Sequence, residues 1–445
     1  MIDHPDRQAL HDEIHARPPQ AIAAPHRVSH IALLRPAPAG SGNGGRMATP
    51  ADPLAALCAA HGLPSPSAGD THFLADFGAF RLKRERHGEF DGYTIDAKGC
   101  DPNDPFGRTA LDEFPSGWFA SLPGERIAAV HLALLPAGDD GERRADAPQA
   151  LARDFDGNEV CGATIAEGEA RVYTDFRMRD DGFVPMLLLD VSMDAKRTGR
   201  EVQRLVEVEV YRMMAMLAFP LARETAVELD KAERSLGALV SRLEGAPASE
   251  EPELLQEVTH LAATVERLSA TVGFRFGAAR AYHAIVRQRG QDLRVGRISP
   301  LQTPIAFLER RFDPAMAFCE SVGRRIDSAA ERIARASALL RTRVDIERER
   351  HNQALLSAMN QRAELQLKLQ QTVEGLSVAA ITYYAVGIVH YLLVAARAGG
   401  IELDVDVATG IAVVPVAIAV ALGVRHIRES VGRRLRETPS DPRYD

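Results

Sequence analysis

LLRTRVDIERERHNQALLSAMNQRAELQLKLQQTVEG, residues 339–375, runs without a break into LSVAAITYYAVGIVHYLLVAA, residues 376–396. The first part is charged and helix-periodic, and the second is 21 residues long with no formal charge. At about 1.5 Å per residue that length crosses a hydrocarbon core of roughly 30 Å. A second uncharged run, Val407 to Val424, follows after a short acidic connection and has 18 residues. The stretch therefore reads as a stalk helix entering a two-helix transmembrane hairpin.

Charge around the hairpin predicts its orientation. Arg362 and Lys368 precede the first run, and Arg425, Arg428, Arg433, Arg434 and Arg436 follow the second. The connection carries only Arg397, against Glu402, Asp404 and Asp406. By the positive-inside rule the loop faces outward and both termini are cytoplasmic. Within the stalk, Leu355, Met359, Leu365, Leu369, Val373 and Leu376 form a narrow apolar seam among charged faces. Such a seam suits packing against helices of a second copy, hence a homo-oligomer and a coiled coil, or against helices of the same chain.

Outside the hairpin, 445 residues at 46% hydrophobic and 26% charged are enough for two or three domains with a sizeable core. A net charge of -8 supplies no basic field for nucleic acid. Cys58, Cys100, Cys161 and Cys319 are scattered without a Cys-x-x-Cys pair, which signals neither a zinc site nor a disulfide framework and suits a reducing compartment. MIDHPDRQALHDEIHARPP, residues 1–19, has no apolar core of a secretory signal.

Going from the N-terminus, short alternating segments predict strands: VSHIALLRP from Val28, THFLADF, AFRLKRERHGEF, YTIDA, RIAAVHLALLP, EVCGATIA, EARVYTDFRM and FVPMLLLDV. A helix is expected at Leu54 to His61, and Gly40, Gly42 and Gly45 match dinucleotide-binding spacing without opening a helix. From Lys196 the period changes to about 3.6, with Pro220 expected to kink or end the first long helix and the last helix expected to start near Pro314. The fold class is α+β: an antiparallel-rich sheet domain with helices (1–195), a long-helix bundle and stalk (196–374), the hairpin (375–424) and a basic tail (425–445).

Two soluble motifs invite chemistry. His11 and His15 lie four apart on one helical face, a spacing that shares a metal, while Glu13 falls outside the zinc-protease pattern. The alternative is an arm in which His11, Glu13, His15 and Arg17 dock onto a partner. His26 and His30 repeat the spacing across a loop and a strand, where it is not expected to align them. In RERHGEF, strand alternation puts Arg84 and Arg86 on one side and Glu85, His87 and Glu89 on the other. Arg84 and Arg86 suit a small anionic ligand, and His87 with Glu89 a divalent cation; the plain alternative is a charged sheet face. No Gly-x-Ser-x-Gly, phosphate-loop or His-Glu-x-x-His pattern is present, so neither an enzyme nor a cofactor is expected.

LHDEIHARPP (residues 10–19), RERHGEF (84–90), YTDFRMRDDGF (173–183), LLRTRVDIERERHNQALLSAMNQRA and LQQTVEGLSVAAITYYAVG together resemble a bacterial family of uncharacterised membrane-anchored proteins, domain of unknown function 3422. That resemblance implies placement at the bacterial inner membrane and brings no activity. The order of parts is also similar to the CorA-type magnesium channels. Their Gly-Met-Asn motif is missing, since the corresponding stretch reads LVAARAGGIELD. The function expected is an oligomeric sensor or scaffold with a cytoplasmic docking domain. The alternative is a divergent ion channel or transporter, with Thr382, Gly387 and His390 along the pore and Glu402, Asp404 and Asp406 at its mouth.

Overall fold

The computed structural model describes residues 3–8, 11, 19–36, 52–67, 69–138, 148–400 and 404–436. Glu13, His15, Arg17 and Glu402, and the glycines at 40, 42 and 45, lie outside the described residues. The chain divides into two compact units, Met1–Leu339 and Leu340–Asp445.

The first unit is built on one nine-stranded sheet among the described residues, in the order β2-β3-β4-β1-β5-β8-β7-β6-β9. The strands are β1 (His26–Leu34), β2 (His72–Asp76), β3 (Arg81–Arg86), β4 (Phe90–Lys98), β5 (Glu125–Pro136), β6 (Cys161–Ile165), β7 (Ala170–Thr174), β8 (Val184–Asp190) and β9 (Gly296–Arg297). Every neighbouring pair is antiparallel except β5 with β8. That one parallel pair sits at the centre, where both faces are covered, and its strands are accordingly near-continuous apolar runs.

Helices cover both faces. On one side α1 (Pro53–Ala60) sets Leu54, Leu57 and Cys58 against Ile31, Leu82 and Ile95, and α2 (Pro148–Asp154) sets Leu151 against Tyr173 and Leu187. On the other, α3 (Ala195–Met216) lays Val206, Val210 and Met214 on Ala32, Phe90 and Ala128. Asp194 caps α3 by accepting from Lys196 N and Arg197 N, each at 2.8 Å. The break before α4 (Ala218–Gly245) falls at Leu217. It follows from Pro220, which has no N–H for the carbonyl of Met216 and crowds it. In α5 (Glu251–Asp292) Leu254, Val258, Leu261, Val265, Leu268, Val272 and Phe276 repeat every three or four residues and are buried. This segment is a single helix.

The last helices are α6 (Pro304–Ala398) and α7 (Val405–Arg436). α6 starts ten residues earlier than the expected Pro314, and it accepts that proline internally at the loss of one hydrogen bond. The boundary expected at residue 195 coincides with the start of α3, but β9 joins β6 from beyond it, and strands and helices up to Leu339 form one compact unit. In the second unit both helices contain a stretch long and apolar enough to cross a membrane, with mean hydropathy 1.8 and 2.4, and neither stretch is buried.

Candidate functional site

RERHGEF forms the end of β3, a three-residue loop and the start of β4. Arg84 pairs with Tyr93 and Arg86 with Asp91, and His87 N donates to Phe90 O at 2.9 Å to close the hairpin. The strand ends at Arg86, and His87 to Glu89 form the loop. The hairpin has two faces with different chemistry.

On the α1 side, Arg84 is 4% exposed and donates to Asp70 O at 2.9 Å. Arg86 Nε lies 3.7 Å from Asp91 Oδ1. Arg35, just past β1, donates to the carbonyls of His87 and Gly88. Burial raises the Asp91 carboxyl, while the charges of Arg35, Arg86 and Arg84 pull it down. Three guanidiniums thus act on one carboxylate, in a setting dry enough to push the Tyr93 hydroxyl up to about 12. Arg84 Nε is buried with no hydrogen-bond partner among the described residues. Such a cluster has the fork-shaped donors that a carboxylate or phosphate takes in pairs.

On the α3 side, Lys83 and Glu85 form a buried ion pair at 2.9 Å. The His87 ring stacks on Phe90 at 4.3 Å and meets Tyr211 edge-on. His30 Nδ1 lies 2.9 Å from Thr94 Oγ1. Its Nε2 has no partner among the described residues, and burial, helped by His87 and Lys83, drives the pKa down to about 3. Gln20 and Gln203 each leave one buried amide atom unpartnered at the same crevice, which encloses about 50 Å³. That is room for a water molecule or two and not for a metabolite. Two glycines make the packing fit. A Cβ on Gly92 would lie 3.1 Å from the His30 ring, and one on Gly199 only 1.6 Å from Gln20 O, where the segment before β1 crosses α3.

Glu89, a candidate ligand residue, ties the hairpin to α5. Arg275 Nη2 donates to one carboxylate oxygen and Tyr282 Oη to the other, each at 2.7 Å. Tyr282 in turn stacks on Tyr211 at 5.6 Å. The four residues Arg84, Arg86, His87 and Glu89 are thus divided between the two faces of the hairpin. The arginines face α1, His87 faces α3, and Glu89 is engaged by α5. Among the described residues no group of three His, Cys, Asp or Glu side chains is placed to hold a metal ion.

His11 is exposed, and its docking companions lie outside the described residues. His26 and His30 both belong to β1, so the period of two puts them on one face, contrary to expectation. Four residues of strand separate them by roughly 13 Å, too far to share an ion. In the second unit Thr382 donates to Val378 O, and His390 Nδ1 lies 3.1 Å from Thr409 Oγ1 across the hairpin. At Gly387 an added Cβ would meet nothing within 4 Å. Asp404 caps α7, accepting from Asp406 N and Val407 N at 3.2 and 3.4 Å, while Asp406 is exposed.

Two further polar groupings carry no sequence motif. Ser29, His131 and Asp181 are a serine, a histidine and an acid in sequence, with Ser29 Oγ 2.8 Å from His131 Nδ1 and Asp181 Oδ2 3.5 Å from Nε2. Ser29 is wholly buried and the imidazole lies flat on Phe183 at 3.8 Å, so no substrate reaches the hydroxyl. The second, His26 with Asp96 and Arg81, lies under the segment preceding β1. Only strand register brings these residues together, and a sequence pattern has no fixed spacing for it.

The chain belongs to the family described as protein of unknown function (DUF3422), the match covering residues 2–431. No curated protein and no solved structure matches it.

Proposed function

We propose that this protein is a membrane-anchored, non-enzymatic sensor that takes a small anionic ligand at Arg35, Arg84 and Arg86 and passes its occupancy to the helices of the first unit. One observation carries the reading: a single hairpin bears the arginine cluster on one face and is bonded through Glu89 to Arg275 and Tyr282 of α5. An anion drawn between the guanidiniums competes with Asp91 for them and shifts the hairpin loop on which Glu89 sits. The two unburied apolar stretches support an anchor in the bacterial inner membrane, with both termini cytoplasmic and the connecting loop outside. The exposed seam of Leu355, Met359, Leu369 and Val373 supports assembly as a homo-oligomer.

The full chain in detergent, titrated with pyrophosphate and citrate at constant ionic strength, should give a saturable rise in melting temperature. Arg86→Gln, at a half-buried position outside the core, should lower the apparent affinity at least tenfold. An unchanged melting temperature with both anions, or a wild-type response from Arg86→Gln, contradicts the ligand site.

A further inference from the structure

The sheet is open along β2. This strand, HFLAD, stands at the end of the strand order and pairs only with β3 among the described residues. Arg86 N donates to Thr71 O at 2.7 Å and Phe77 N to Phe80 O at 2.9 Å, so the hydrogen-bonded pairs with β3 fall on the odd-numbered residues of the strand. The N–H and C=O groups of His72, Leu74 and Asp76 therefore point away from β3. Those of Leu74 and Asp76 have no hydrogen-bond partner among the described residues. Edges that stay solitary are commonly blunted by a proline, a lysine or a bulge, and β2 carries none of the three. Leu74, at its centre, is 46% exposed.

The strand is complementary to itself. A second copy can add antiparallel only in registers that set even-numbered residues against even-numbered ones, because only those carry outward backbone groups. Centred on Phe73, the pairing brings Asp70 opposite Asp76 of the second copy, like charge against like. Centred on Ala75, it sets the apolar Leu74 against the carboxylate of Asp76. Centred on Leu74, it sets leucine against leucine and His72 against Asp76, and all three even-numbered residues fall within the pairing. We propose that β2 docks onto β2 of a second copy of this chain, antiparallel about a two-fold axis through Leu74, so that one sheet runs through both protomers. The two Leu74 side chains, on the sheet face that carries Lys83, then cover each other's exposed surface. This contact is separate from the stalk seam and does not depend on the arginine site.

The test is disulfide capture of the full chain in detergent under a mild oxidant. Opposed residues of a hydrogen-bonded antiparallel pair have Cα atoms about 5.5 Å apart, within disulfide reach. The two copies of Asp76 are four residues apart along the strand, roughly 13 Å, and out of reach. Leu74→Cys should therefore form a covalent dimer at least tenfold faster than Asp76→Cys, and faster than the wild-type chain, whose Cys58, Cys161 and Cys319 are buried. Leu369→Cys, in the stalk, reports the other contact in the same assay. As a second measurement, the Asp76 amide should exchange its hydrogen at least tenfold more slowly in the wild-type chain than in Leu74→Lys, where two ammonium groups would meet at the axis. The proposal is overturned if Leu74→Cys stays monomeric, which leaves the edge to water or to a strand of a different protein, or if it is captured no faster than Asp76→Cys. Capture at Leu369→Cys alone also overturns it, while keeping an oligomer joined at the stalk. Equal exchange of the Asp76 amide in wild type and Leu74→Lys contradicts it as well.

Discussion

Gly199 has a role that composition could not announce. It sits inside α3, where glycine costs helix stability, because Gln20 O passes where its Cβ would be. Gly199→Ala should therefore destabilise the full chain by about 1–3 kcal/mol, where alanine in an open helix would stabilise it; denaturant unfolding checks the sign. His30 makes a pH prediction. Its folded pKa of about 3 lies below the ordinary 6.5. Between those values the unfolded chain binds a proton that the folded chain refuses, so stability rises with pH in that window and is lost as pH falls. His131, lowered to about 4 by burial, adds the same sign. Asp91, Asp190 and Glu201, raised by burial, act oppositely, since their folded forms keep a proton to higher pH. His30→Gln should flatten the loss between pH 6.5 and 5 by up to about 2 kcal/mol relative to wild type, as followed by unfolding at each pH.

Elements were legible where period and punctuation agree. The strand-like segments before Met193 match β1 to β8, and Pro220 ends α3 at Met216, the residue whose carbonyl it cannot serve. RERHGEF was harder, because a charged run on a strand has no hydrophobic alternation to mark where it stops. His87 to Glu89 turn, and that turn brings Glu89 to α5. Strand partnerships such as Arg81 with Asp96 are long-range and left no trace in spacing. The acidic connection gave a similar lesson, since a carboxylate before an apolar helix is as much a cap as a cation attractor. Asp404→Ala should cost α7 about 1 kcal/mol, and Asp404→Ser should restore most of it, measured as helix content and melting temperature in detergent. A pore-mouth role would instead make Ser and Ala equally damaging to cation flux.

At the scale of the whole molecule, the two apolar stretches and the arginine-rich segment after them make the orientation testable. A reporter fused after Asp445 should behave as cytoplasmic and one inserted near Gly400 as external; the reverse pattern would overturn the topology. The central claim concerns what the first unit does with the hairpin. Hydrogen exchange of the full chain with and without saturating pyrophosphate tests it most directly. The account predicts added protection at residues 84–91 together with a change at residues 275–282, and loss of the second signal alone in Glu89→Gln, which keeps the arginines but weakens the tie to α5. Protection confined to residues 84–91 in the wild-type chain, or no protection at either segment, would contradict it.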